Sequence, residues 1–172
     1  MSFSAQLEPA SVGAAIASAK IHLSSEIFTL QEKLERKIQY FNKRLLDTDL
    51  PLIAHNDSPV FFIGAGSPKT GYNLVNRLFK NGIYVNLGIF PAVPIKNTGL
   101  RITLSLHNRK EEIDLLVNQL EKNYPKALRD THTRMDLVQF AFGIETAQKK
   151  PLKYPSNNLI CKLEKSWFNG HG

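Results

Sequence analysis

The sequence predicts an α+β fold, in which a long N-terminal helix, or two consecutive helices, joins a small antiparallel-type sheet covered by helices. Three observations carry this prediction. An apolar stripe of helical period runs through residues 9–46, a strand-period alternation occupies 100–106, and helix caps and stops punctuate the chain between them.

Within 9–46, Val12, Ile16, Ala19, Leu23, Ile27, Leu30, Leu34, Ile38, Phe41 and Leu45 follow at steps of three and four. That spacing places them on one face of a helix. Pro9 stands where a helix can begin, because the first turn has no use for its missing N–H. Ser24-Ser25-Glu26 can cap a second helix, so one bent helix or two in succession are both expected. The polar stretch His55-Asn56-Asp57-Ser58-Pro59 then ends the pattern.

Val60-Phe61-Phe62-Ile63 is a short, continuously apolar and β-prone run, read as a strand buried on both faces. Ser67-Pro68 supplies a cap and an N1 proline for a helix with Tyr72, Val75, Leu78 and Phe79 as its apolar face. Asn81-Gly82 stops it where a left-handed residue is wanted. Residues 83–90 alternate, with Ile83, Val85, Leu87 and Ile89 on one side and Tyr84, Asn86 and Gly88 on the other. Pro91 and Pro94 bracket a loop that runs to Gly99. In 100–106 the leucines and Ile102 share one face, and Arg101, Thr103 and Ser105 share the other. Asn108 with Glu111 reads as a capping box for a helix buried through Ile113, Leu116, Val117 and Leu120. The pattern changes after Pro125, and a last helix through Met135, Val138 and Phe142 is expected, capped by Asp130 or Thr131. From Lys149 the composition is that of a linker. The chain thus divides into a helical segment over 1–47, a small domain over 48–128 and an extension over 129–172.

Composition narrows the function. A hydrophobic fraction of 42% and an aromatic fraction of 9% suit a globular core. No apolar run approaches the about 20 residues of a membrane span, and the N-terminus has neither the basic nor the apolar region of a signal peptide. The chain reads as cytoplasmic. The single cysteine, Cys161, can form neither an internal disulfide nor a multi-cysteine metal site. A net charge of +7 would suit nucleic acid, but the lysines are spread and no run interleaves arginine with aromatics. Charge alone does not make a nucleic-acid site.

Gly64-Ala65-Gly66 between a strand and a helix lies where a phosphate-binding turn would sit, yet Lys69 replaces the third glycine and no acidic residue follows the next strand. A structural turn is the better reading. The five histidines show no metal spacing, and Asp130, His132 and Arg134 read as a solvated helix start. Arg101 differs from these. A cation in a β-prone strand is costly to bury unless an anion answers it, and the guanidinium fork matches a carboxylate bidentately. On these grounds alone a structural salt bridge or an exposed strand arginine is the better explanation.

Three stretches in order resemble the small domain of the α-oxoamine synthases, a fold-type I pyridoxal-phosphate (PLP) family. They are Ser58-Pro59-Val60-Phe61-Phe62-Ile63-Gly64, Leu78-Phe79-Lys80-Asn81-Gly82-Ile83-Tyr84-Val85-Asn86, and Leu100-Arg101-Ile102-Thr103-Leu104-Ser105 followed by Glu111-Glu112-Ile113-Asp114. Phe3-Ser4, Pro9 and the Ala14-Ala15-Ile16-Ala17 helix are similar to the segment after that family's lysine, although Ala5 stands where a threonine is expected. The family's histidine and threonine before its last helix are Asn108 and Arg109 here. The resemblance implies an enzyme that condenses an acyl thioester, on coenzyme A or an acyl carrier protein, with an amino acid. It implies that Arg101 binds the amino acid's carboxylate, and that Ser4 touches the cofactor phosphate across a homodimer. The 91–99 loop would line the acyl entrance. The lysine that holds PLP belongs to a large domain expected before Met1, so this chain by itself is expected to hold no covalent cofactor, no catalytic residue and no metal. The small domain of a PLP-dependent aminotransferase, or a non-enzymatic α+β partner-binding module, are the alternatives.

Overall fold

A computed structural model describes residues 8–144. The N-terminal stripe forms two helices, α1 over Pro9–His22 and α2 over Glu26–Leu46. The break falls at Ser24, whose hydroxyl donates to the Ile21 carbonyl at 2.9 Å and accepts from the Glu26 amide at 3.2 Å. Such local side-chain bonds compete with a continuing helix. Only the second half of the stripe is buried: Ile38, Phe41 and Leu45 enter the core, whereas Val12, Ile16 and Leu23 are exposed and α1 has no buried residue.

The remaining elements are β1 (Val60–Gly64), α3 (Pro68–Lys80), β2 (Asn86–Gly88), a 3-10 turn (Ile95–Asn97), β3 (Gly99–Thr103), α4 (Lys110–Asp130) and α5 (Met135–Phe142). The strands form an antiparallel sheet in the order β1-β3-β2. One face carries Phe61, Ile63, Leu100 and Ile102, and α2, α3 and α4 close over it. Phe41 of α2 meets Phe61 edge-on, with ring centroids 4.6 Å apart. On the opposite face α5 covers only the β1 end, where Phe142 lies 6.2 Å from Phe62. β1 is therefore covered on both faces except at Val60, which is exposed.

Local signals hold where they are short-range. Ser67 caps α3 by accepting from the Thr70 amide at 3.2 Å, and Gly82 takes a φ of +77° after its end. Three expectations change. The change of pattern after Pro125 does not break the structure: α4 runs through it to Asp130, because Tyr124, Ala127 and Leu128 on either side are buried and outweigh the lost backbone bond. The cap of α4 is Arg109, not Asn108, and its partner is Glu112, which accepts from the Arg109 amide at 3.0 Å. Asn108 instead accepts from the amide and hydroxyl of Ser105, closing the turn after β3. Thr131 does not start the last helix but closes α4, its hydroxyl donating to the Ala127 carbonyl at 2.8 Å, and Arg134 stands at the start of α5. The expected boundary at 128 thus falls inside the last turn of α4, and α5 beyond it buries Val138 completely. No helix among the described residues is long and apolar enough to cross a membrane.

Candidate carboxylate-binding groove

The open face of the sheet is built from two cross-strand rows. Gly64, Gly99 and Gly88 stand in register across β1, β3 and β2, and Phe62, Arg101 and Asn86 form the next row. The glycine row is paved by aromatic rings. A Cβ on Gly99 would lie 2.3 Å from the Phe62 ring, and one on Gly64 would lie 2.6 Å from the Phe142 ring. Those rings fill the β1 end and leave the Arg101 row uncovered.

β2 is shorter than the alternation over 83–90 implies. Residues 82–85 splay from β3 instead of pairing with it, although the alternation itself persists: Val85 is buried while Tyr84 and Asn86 are exposed. The gap is a groove of about 400 Å³ whose polar lining includes Tyr84, Asn86, Arg101, Thr103, Asn108 and Glu112. Arg101 is exposed there and has no acidic partner among the described residues. The contrast with its neighbours is informative. Arg36, Arg44, Arg77, Arg109 and Arg134 each hold a carboxylate of this chain, and Arg129 of α4, like Arg101, holds none among the described residues. A structural salt bridge is therefore not what keeps Arg101 in its strand.

Glu112 brings one anion to the same groove. The backbone N–H of Arg109, and then its side chain, hold that carboxyl below the usual carboxylate range. The groove thus presents a free guanidinium and a carboxylate already engaged by Arg109. The face of Arg101 was legible in the strand alternation, but Asn86 and Glu112 as its companions were not. The placing of Tyr84 and Asn86 on one side of the 83–90 alternation was the available signal, and the register decided the rest.

Other candidates resolve structurally. In the Gly64-Ala65-Gly66 turn, the amides of Ala65 and Gly66 donate to the Thr98 carbonyl at 2.8 and 3.1 Å, and that of Gly64 donates to Pro51 at 2.9 Å. These three amides of the glycine turn are therefore spent on backbone carbonyls. Asp130 pairs with Arg77 and Arg134 with Asp136, so the Asp130–His132–Arg134 run has no shared centre. No group of metal-ligating residues occurs among the described residues. Ser4 and Cys161 lie outside them. The groove lining contains no lysine.

No family model matches the chain. It is 32% identical over 121 residues to the 8-amino-7-oxononanoate synthase of Treponema denticola, covering 70% of this chain and 30% of that protein. It is 26% identical over 125 residues to the serine palmitoyltransferase of Sphingobacterium spiritivorum, covering 73% and 31%. Its fold is similar to that of serine palmitoyltransferase from S. paucimobilis, solved with a bound PLP–myriocin aldimine, with a TM-score of 0.63, 19% identity, and coverage of 76% of this chain and 31% of that one. For the 8-amino-7-oxononanoate synthase of Francisella tularensis the TM-score is 0.60 at 22% identity, covering 72% and 35%. The chain spans about a third of the length of these relatives. By sequence and by fold, it is related to the α-oxoamine synthases over the extent of their C-terminal small domain.

Proposed function

We propose that this chain supplies the amino-acid carboxylate site of a PLP-dependent transferase that condenses an acyl thioester with an amino acid. One observation carries the reading. Arg101 is an exposed guanidinium without a counter-ion among the described residues, held by β3 at the mouth of a groove. An amino-acid carboxylate matches its fork and supplies the missing charge. Asn86, beside it in register, is placed to donate a further hydrogen bond, and Thr103 is small enough to leave room for the ligand. The exposed Phe90 and Ile95 of the 90–98 loop offer apolar surface to an acyl chain.

The cofactor falls to a partner. With no lysine in the groove, PLP belongs on a large domain contributed outside residues 8–144. The exposed Val12 and Ile16 of α1, with Leu23 just beyond its end, are the surface such a domain, or a second copy, would cover. Ser4, upstream of α1, is placed in this reading at the cofactor phosphate of the dimer mate.

The test begins with the gene. Reading upstream of the Met1 codon should reveal a large domain with its lysine, and co-producing it with this chain should give a complex that binds PLP. Borohydride should then fix the cofactor to the large domain and not to this chain. A stoichiometric adduct on one lysine of the isolated chain would overturn the reading, and so would the absence of any such large-domain sequence.

A further inference from the structure

A second groove lies between α2 and the first turn of α4, on the other side of Ile113 from the Arg101 groove. Its volume is about 610 Å³, within the range of small-molecule pockets. Leu30, Leu106, Ile113 and the ring of Tyr40 form an apolar floor, and Lys33 and Lys110 stand at its edge. Leu30, Lys33, Lys37 and Tyr40 follow at steps of three and four along α2, so one helix face brings them together.

Several of the charges around this groove are engaged within the chain. Arg36 is held by Glu32. Asp114 accepts from Tyr40 at 2.6 Å and from Arg44 at 2.8 Å. Lys37 donates to the carbonyls of Leu106 and Asn108 and so fixes the groove's inner wall. Lys33 and Lys110 have no ion pair among the described residues, and the Lys110 ammonium sits 4.8 Å from the Tyr40 ring centroid. Both lysines line one apolar groove at the N-terminus of the 21-residue α4, whose dipole favours an anion there although its first turn also carries Glu111 and Glu112.

We propose that this groove binds a monoacyl phosphate, a single hydrocarbon chain ending in a phosphate monoester. The chain would lie on Leu30, Leu106 and Ile113, and the doubly charged head would be shared by Lys33 and Lys110. A carboxylate head carries one charge and meets only half of the available cation. The inference is independent of the PLP reading, because it uses none of the Arg101 row.

The probe is dodecyl phosphate below its critical micelle concentration, titrated into the full chain by calorimetry and by 15N-resolved NMR. One equivalent should saturate the protein, with amide shifts confined to residues 30–40 and 106–113. Lys33→Gln with Lys110→Gln should weaken binding at least tenfold, and Leu30→Asn about fivefold, while circular dichroism shows each variant folded. Dodecanoate should bind more weakly than dodecyl phosphate. Unchanged affinity in the double variant would overturn the proposal. Inorganic phosphate or dodecanoate binding as tightly as the probe would overturn it too, as would shifts centred on residues 84–86 and 101–103.

Discussion

Replacing Gly99 by alanine is the sharpest test of how the sheet is built. Gly99 sits in the central strand, in register with Gly64 on one side and Gly88 on the other. An added Cβ would meet the Phe62 ring at 2.3 Å and the Ile63 carbonyl oxygen at 2.5 Å. The ring can rotate away, but the oxygen belongs to the paired strand and cannot. Relief requires β1 and β3 to part by about half an ångström or more, and overpacking of this kind costs roughly 1–3 kcal/mol. The same shift strains the bonds from the Ala65 and Gly66 amides to Thr98, at about 1 kcal/mol each. Alanine returns roughly 0.5–1 kcal/mol by restricting the unfolded chain. The net expectation is a loss of about 2–4 kcal/mol, read as a lower urea midpoint by circular dichroism. Gly13→Ala is the matched control, since nothing lies within 4 Å of its would-be Cβ on the exposed α1. It should leave stability unchanged or raise it by up to about 1 kcal/mol. Adding Phe62→Ala should relieve only the ring's share of the Gly99→Ala penalty, and a double-mutant cycle measures that share. A Gly99→Ala protein within about 0.5 kcal/mol of wild type would refute the close approach of the strands.

Three further outcomes are expected. Tyr124→Phe removes a buried hydroxyl that donates to the Gly64 carbonyl at 2.7 Å, and should cost about 1–3 kcal/mol of stability in urea unfolding. Arg101→Ala should leave stability within about 0.5 kcal/mol, because the side chain is exposed and unpaired among the described residues. In the complete enzyme it should weaken amino-acid binding by about 2–4 kcal/mol, roughly 30- to 1000-fold, with Arg101→Lys recovering only part and the acyl donor little affected. On acidification two groups lose stability in turn. His55 is pushed below its ordinary 6.5 by burial, so its contribution is full above that pH and is lost as the pH falls through the depressed folded value. Asp114 is held below its ordinary 3.8 by the Tyr40 hydroxyl and then by Arg44, so its contribution is lost further down, as the pH falls from about 4. His55→Asn and Asp114→Asn should each flatten its own window in a pH series of urea midpoints.

What the sequence determined by itself is what repeats over a few residues. Helical spacing marked the buried face of α2 through Ile38, Phe41 and Leu45. Strand alternation set Leu100 and Ile102 inward and Arg101 and Thr103 outward. Ser67-Pro68 and Asn81-Gly82 bounded α3, because caps and left-handed stops act within a single turn. The three family stretches were equally legible, since each is a continuous run.

Tertiary structure decided whatever depends on a residue far away in sequence. The periodicity of 83–90 cannot say where pairing with β3 stops, so β2 contracted to three residues and the unpaired remainder opened the groove. The pattern changed after Pro125, but burial of Tyr124 and Ala127 against distant elements exceeded its local penalty and carried α4 on to Asp130. The N-terminal stripe read as uniform, yet only its second half meets the sheet, leaving α1 bare. Arg101 shows the division most clearly. Its face followed from counting by twos along one strand, whereas its placement beside Asn86 and Phe62 and its lack of a carboxylate partner follow from register, which pairs residues that local sequence does not connect.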